Sequence, residues 1–434
     1  MQLMLCYSSI DSAVAEEKNM ISKFLCKHST RVIWIILLFF IMVNSTSKAM
    51  AKDFTASSGS ATDIQKAIDS VYASGGGTVY IKPGTFPHNG AAIKVKDGVS
   101  LMGAGQDKTI LTNANIRYRG SNSSPFRVSG LRLSNRSYLE IRSCSNFRVD
   151  HITVESASGA AISIQESFSG LIDHCAVRVT GSFYGIVISQ GYKQYYPADW
   201  KPNANQLLGQ STAIFIEDCD FYGCHHAIVG HGNAHYVARY NSFQNGNSHQ
   251  IDAHGPGYGP PCGTRLVEVY NNVFNYSPEY TWKAFAIRGG DAVIFNNVIK
   301  DYDNGILLCL ETRSEGPYPV PMQVRNAWIW DNTFINLGKN NEKRCPGDWE
   351  AGSPHCNEVL VWDIADDLKM ESKNYIRENR EYYLRKPTQE QDGFTYKPYT
   401  YPHPLQSVMP KPESDLEAPK NFHLSRINGL LYPK

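Results

Sequence analysis

Paired metal-binding cysteines are missing: no Cys-x-x-Cys and no His/Cys spacing of a zinc site occurs in the 434 residues. Ten cysteines in a chain of this length are too sparse for a disulfide-held scaffold, although Cys345 and Cys356, flanking a Pro/Gly-rich loop, form the pair most expected to close. An excess of one charge is also missing, since 42 Lys and Arg face 41 Asp and Glu. That balance removes the basic surplus of a protein that coats nucleic acid, so any anionic partner must be met by local charges. No apolar run reaches the roughly 20 residues that a bilayer span needs, and no stable membrane association is expected.

What remains is a 42% hydrophobic chain able to bury a large core. Its first 51 residues read as a signal region. Starting at Met20, Lys23, Lys27 and Arg31 precede the apolar stretch Val32 to Val43, and Ala49-Met50-Ala51 is a small-residue cleavage site. Export follows, to a periplasm or the outside, with residues 52–360 as the main domain and 361–434 as a tail.

The main domain is organised by an internal repeat. Asp173-His174-Cys175, Glu217-Asp218-Cys219, Arg239-Tyr240-Asn241, Asn271-Asn272, Asn296-Asn297 and Asp331-Asn332 share one Asn-or-Cys position. A short β-branched or aromatic strand precedes it each time; a turn and a second strand follow. The closest copies stand a little over twenty residues apart, one coil of a solenoid with three short strands on three parallel sheets. An Asn in each buried turn can donate and accept to the turns above and below. Ahead of the first coil, Ile64, Ala67, Ile68 and Val71 share one face of a helix over 61–72 that would cap the open apolar end. The aromatic tail from Tyr396 to Leu405 is expected to lie extended on the coil surface. The predicted fold is all-β, a parallel β-helix with an N-terminal capping helix and an extended C-terminal tail.

With its Gly75-Gly76-Gly77-Thr78-Val79-Tyr80-Ile81 opening and Pro83-Gly84 after it, the chain resembles the pectate-lyase-like superfamily of right-handed parallel β-helix proteins over roughly residues 54 to 360. The resemblance implies carbohydrate chemistry by lyase, hydrolase or epimerase, without choosing among them. The Arg-x-Pro-x-x-Arg of the main pectate lyase family is absent, because Arg385-Lys386-Pro387 lacks the second Arg. Gly230-His231-Gly232 is similar to a polygalacturonase motif, but the paired aspartates and the Arg-x-Lys that accompany it are missing. Asp252-Ala253-His254 is similar to the Asp-Pro-His of alginate epimerases.

The residues point to a groove. Insertions at 191–210, 255–264, 312–325 and 338–355 are expected to leave the repeat at one place, after its second strand, and to wall one side of the coil. At that place stand Gln165, Ser189, Gln190, His231, Asp252, His254, Arg288, Glu311 and Arg313. Stacked strands about 4.8 Å apart would spread His231, His254, Arg288 and Glu311 over roughly 15 Å, room for a few sugars. Polar strand ends are commonly just solvated, and that reading suffices for Gln165, Ser189 and Gln190. It strains where His225, His226, His231, His235, His249 and His254 crowd together beside Arg239, Asp252, Arg265 and Arg288. Of these, His225 and His226 are assigned to a turn and read as structural.

Cleaving a uronate polymer by β-elimination requires neutralising a carboxylate and presenting a base to the acidified neighbouring C–H. Arg288, or a calcium ion held by Asp252 and Glu311, would supply the first. His254 or His231 would supply the second. Tyr240 could protonate the leaving oxygen, although its place beside the Asn column suits burial at least as well. His235, Arg239, Arg265, Arg313, Tyr258 and Trp282 are the expected substrate contacts. Two rivals stay open. Hydrolysis or epimerisation would use the same scaffold, although Asp252 and Glu311, about 10–15 Å apart, stand wide for a hydrolase pair. A non-catalytic glycan binder would use the groove aromatics alone.

Overall fold

The computed structural model describes residues 52–120, 125–156, 159–179, 181–191, 207–209, 212–254, 263–276, 283–309, 324–338, 358–362, 381–408, 424–427 and 430–433. The predicted export signal and the Cys345–Cys356 pair lie outside them. Within the described residues the chain winds through three long parallel sheets in strict rotation. We name them A, B and C in the order in which each coil visits them. Sheet A has 12 strands, and sheets B and C have 10 each. Every pairing along the three ladders is parallel, as between Gly77–Ile81 and Val99–Gly103 in sheet A or between Tyr184–Ser189 and His226–His231 in sheet C. The chain is a right-handed parallel β-helix.

One repeated turn fixes the rotation. Between sheets A and B, His151, His174, Asp218, Tyr240, Asn271, Asn296 and Asp331 all take φ between 49° and 59°. Asn and Asp tolerate this left-handed bend best, and they hold the last positions of the column. The following residue points inward and carries the ladder. Asn241 N–H donates to Asn272 Oδ1 at 2.9 Å, Asn272 N–H to Asn297 Oδ1 at 3.1 Å, and Asn297 N–H to Asn332 Oδ1 at 3.1 Å. Each Nδ2 donates in turn to a backbone carbonyl of the preceding coil, as Asn272 does to Ala238 at 2.9 Å. Cys219 closes the same row, its N–H donating to Asn241 Oδ1 at 3.0 Å. The expected Asn-or-Cys ladder is thus present, and it satisfies buried turn amides that would otherwise go unpaired.

Inside the coils, like residues stack on like. Phe221, Phe243 and Phe274 pile face to face with centroids 4.9 and 4.4 Å apart. The helix Ala61–Ala73, capped by Ser60 accepting from Asp63 N–H at 3.2 Å, buries Ile64, Ala67, Ile68 and Val71 over the open end. Residues 394–406 lie along the outer face of sheet A. Phe394 and Tyr396 pack with Phe215, Tyr270, Val293 and Trp328, and Arg148 donates to Gln406 O at 3.2 Å.

The long connections do not all leave from one place. Those at 192–206, 255–262 and 310–323 join sheet C to sheet A, as expected. The one at 339–357 follows Thr333–Ile335 of sheet B and so leads into sheet C from its other border. Long connections therefore both follow and precede strands of sheet C along the chain.

Candidate active site on the outer face of sheet C

Three successive strands build the site: His226–His231, Ile251–Ala253 and Lys283–Ile287. Their register places Val229 beside Asp252 and Asp252 beside Ala286. Gly230 pairs with Ala253 and Ala253 with Ile287, so the next residues, His231, His254 and Arg288, follow one another coil by coil. This is the column expected from the repeat, with one correction. Ile287 pairs with Leu308, which puts Cys309 rather than Glu311 at the next step. Glu311 itself lies outside the described residues, as do Arg313, Tyr258 and Trp282.

Asp252 is the centre of the site. It is 1% exposed although it stands on the outward face of a strand. Arg288 grips both its oxygens, Nε donating to Oδ1 at 3.0 Å and Nη2 to Oδ2 at 2.5 Å. Burial alone would push this carboxyl up; the Arg288 guanidinium, helped by His226 and His254, outweighs it and holds the group below the usual carboxylate range. A buried ion pair of this kind contributes little net stability. Its place on the outside of a coil calls for another explanation.

Imidazoles flank the pair at both ends of the strands. At the leading end, His226 lies with its Nε2 3.9 Å from Asp252 Oδ2. Its Nδ1 donates to the His249 carbonyl at 2.9 Å, which leaves Nε2 as the basic nitrogen. The His226 ring stacks between Tyr184 and His249, at 5.4 and 5.6 Å. His226 is therefore part of the site, not the structural turn residue expected from sequence. Burial drives its basicity down, and drives that of His249 down to about 3. At the trailing end, His231 is pushed down to about 4 by burial and by neighbouring His254, and its Nδ1 is buried with no hydrogen-bond partner. Beneath this end Gly230 is required: a Cβ there would come within 2.6 Å of the Tyr236 ring, which crosses the interior under the strand.

Other expected contacts are placed elsewhere. His235 and Arg239 belong to sheet A. His235 Nε2 donates to Glu268 at 2.9 Å, and Arg239, fully buried, pairs with Glu217 at 2.7 Å and donates to the Tyr399 and Thr400 carbonyls. Both are spent on packing the tail, one strand too late in the coil to reach the groove. Arg265 lies just before Leu266 of sheet A, its N–H donating to Ala234 O at 2.9 Å, at the border rather than on the face. Tyr240 stacks on Tyr401 at 3.8 Å in the turn between sheets A and B, away from any substrate path. Among the described residues no group of three His, Cys, Asp or Glu stands together to hold a metal. Asp252 does not fit calcium as it stands, because a guanidinium already occupies both oxygens.

The chain is similar to several known proteins. Residues 50–257 match the family described as rhamnogalacturonase A/epimerase, pectate lyase-like. Mannuronan C5-epimerase AlgE3 of Azotobacter vinelandii is 44% identical over 72 residues, covering 14% of this chain and 4% of that protein. AlgE4 of the same organism is 41% identical over 70 residues, covering 14% of this chain and 13% of that protein. The match thus spans a small part of those relatives' length. Among solved structures, the A-module of A. vinelandii mannuronan C5-epimerase AlgE6 covers 65% of this chain and 85% of its own at 15% identity and a TM-score of 0.33. The AlgE4 A-module covers 72% and 94% at 14% identity and a TM-score of 0.34. The family match runs from the capping helix through Asp252 and His254, and the three unbroken parallel ladders give the chain the fold of the pectate-lyase-like right-handed parallel β-helix proteins.

Proposed function

We propose that this protein removes the C5 proton of a uronate unit within a polysaccharide, and that epimerisation at C5, rather than chain cleavage, is the outcome. One observation carries the reading: the buried Asp252–Arg288 pair lies between two sets of imidazoles, His226 with His249 at one end of the strands and His231 with His254 at the other. Five residues separate His226 from His231, roughly 16 Å along the strand. A sugar ring seated over Asp252 would meet an imidazole on each face.

The chemistry follows from that placement. Arg288 stands beside Asp252 with its side chain 32% exposed, where a guanidinium can meet the substrate carboxylate and steady the charge that forms at C5. Burial drives His231 and His249 down to about 4 and 3. Position assigns the transfer roles: His226 Nε2 lies 3.9 Å from Asp252 Oδ2, and His254 follows Ala253 beside Arg288 at the other end of the strands. One takes the proton from C5, the electron pair resting on the carboxylate as an enolate; the other returns a proton to the opposite face, and the configuration inverts. Elimination would share the first step, then break the C4–O bond and leave an unsaturated sugar. Epimerisation needs groups on both faces and elimination does not, which favours the former here. The local identity to proteins named mannuronan C5-epimerases supports the same choice.

The predicted export signal would place this action outside the cytoplasm. The test is incubation of polymannuronate, polygalacturonate and glycosaminoglycans in D2O. Deuterium at C5 with inverted configuration and no rise in unsaturated-uronate absorbance supports the reading. A rise in that absorbance establishes a lyase instead, and neither signal across the panel favours a glycan binder.

A further inference from the structure

The trailing column of sheet C does not begin at His231. Its register runs unbroken toward the N-terminal coils: Arg119 pairs with Arg142, Arg142 with Gln165, Gln165 with Ser189 and Ser189 with His231. From His254, four coil steps lead to Arg142 and five to Arg119, about 19 and 24 Å at 4.8 Å per step. The stretch between them, Ser189 and Gln165, is uncharged. The neighbouring outward column adds Lys94, Arg117 and Glu140, which pair in sequence. Counting Glu166, which pairs with Arg142, the outer face of these coils holds four cations against two anions.

The guanidiniums are held but not consumed. Arg142 donates to Glu166 from Nε at 3.1 Å and Nη2 at 2.6 Å, and Arg119 Nη2 lies 3.3 Å from Glu140. The Arg119 side chain is 63% exposed and that of Arg142 39%. Pairs this exposed are worth little and exchange readily for another carboxylate.

We propose that these coils form an anion-reading ramp: a uronate polymer with one unit at the histidine site lies along the helix axis, and its more distant carboxylates are bound by Arg142 and Arg119. The inference rests on the proposed uronate chemistry for its substrate class, but its test reads binding separately from turnover. The ramp selects long chains over short ones, and its contribution is electrostatic and weakened by salt.

The experiment compares wild type, Arg119→Gln/Arg142→Gln and, as a control that removes one exposed cation from sheet B, Arg178→Gln. Binding of polymannuronate and polygalacturonate is measured by affinity electrophoresis, and KM is measured for the polymer and for short oligomers confined to the histidine site. The double variant is expected to weaken polymer binding and raise polymer KM about tenfold at low salt, with a flatter salt dependence, and to leave the preference for polymer over oligomer reduced. Arg178→Gln should match wild type, and unchanged thermal melts confirm folding. Polymer affinity and KM within twofold of wild type overturn the ramp. If wild type turns over no uronate yet the double variant loses polymer binding, the ramp stands and the proposed reaction falls.

Discussion

Replacing Arg288 by Gln isolates the term that matters most at the site. The substitution leaves the fully buried Asp252 carboxylate with no fixed cation and hydrogen bonds of ordinary strength. Breaking a buried pair from one side costs about 3–5 kcal/mol, and because the Arg288 side chain is 32% exposed the lower end applies. The pH dependence should change sign as well. In the wild type, Asp252 is held below its unfolded value, so its contribution is present at neutral pH and is lost on acidification. Without Arg288, burial becomes the dominant influence and raises the carboxyl above its unfolded value. A raised carboxyl favours folding below the unfolded pKa and loses that contribution as pH rises. Arg288→Gln should therefore be about 3 kcal/mol less stable than wild type at pH 7.5 and should recover much of the difference near pH 4. Urea midpoints at the two pH values measure this, and Asp252→Asn/Arg288→Gln, which carries no buried charge, should be close to wild type at both. A deficit equal at both pH values, or one below about 1 kcal/mol, would refute the claim that a buried carboxylate charge is what Arg288 holds.

Further outcomes follow from the same geometry. His226→Ala and His254→Ala should each lower C5 exchange by about 10²–10⁴-fold, the range for losing a positioned acid or base, as read by deuterium uptake. Asn272→Ala removes the acceptor of Asn241 N–H and three donor contacts within buried turns, at a cost of about 3 kcal/mol in urea unfolding. Asp218, raised to about 6 by burial, favours folding below its unfolded value and loses that contribution as pH climbs through 6. Asp218→Asn should accordingly gain on wild type at pH 7.5, by on the order of 1–3 kcal/mol, and show no gain near pH 4 in thermal melts. Arg239→Gln should destabilise the fold by about 3–5 kcal/mol while leaving KM unchanged, because its partners are Glu217 and the tail.

Much of the fold was legible because a solenoid writes its period into the chain. The Asn ladder, the capping face of Ile64, Ala67, Ile68 and Val71, and the succession His231, His254, Arg288 all follow from one repeat length. The errors share a physical origin. A coil visits three sheets, and a motif of polar residues after an apolar strand does not say which sheet that strand joins. His235 and Arg239 lie only four and eight residues past His231, yet a corner intervenes and they face the tail instead. Glu311 lies outside the described residues, and counting from the strand does not reveal that pairing puts Cys309 beside Arg288. His226 looked like a turn residue because its neighbour in the site, His249, is on another coil, and no local pattern records that contact. The signal that was available is the five-residue interval common to His226–His231 and His249–His254, which a register alignment turns into two parallel columns.

That interval also explains how the site tolerates its own cost. Asp252, Arg288, His226 and His231 come from three successive coils, so the buried charge is shared across strands that are each held on both sides by a ladder. In a solenoid a coil can loosen with few consequences beyond its neighbours. A costly pair placed at an end would fray it; placed in the coils that the tail straps at Glu217 and Glu268, it sits where loosening is most resisted. The tail on sheet A therefore stabilises the same coils whose opposite face carries the histidines. Weakening it, as by Tyr396→Phe at its bond to Glu268, should reduce activity only through global stability, with activity and melting temperature falling together. A loss of activity at an unchanged melting temperature would mean instead that the tail's contacts are transmitted through the coil to Asp252.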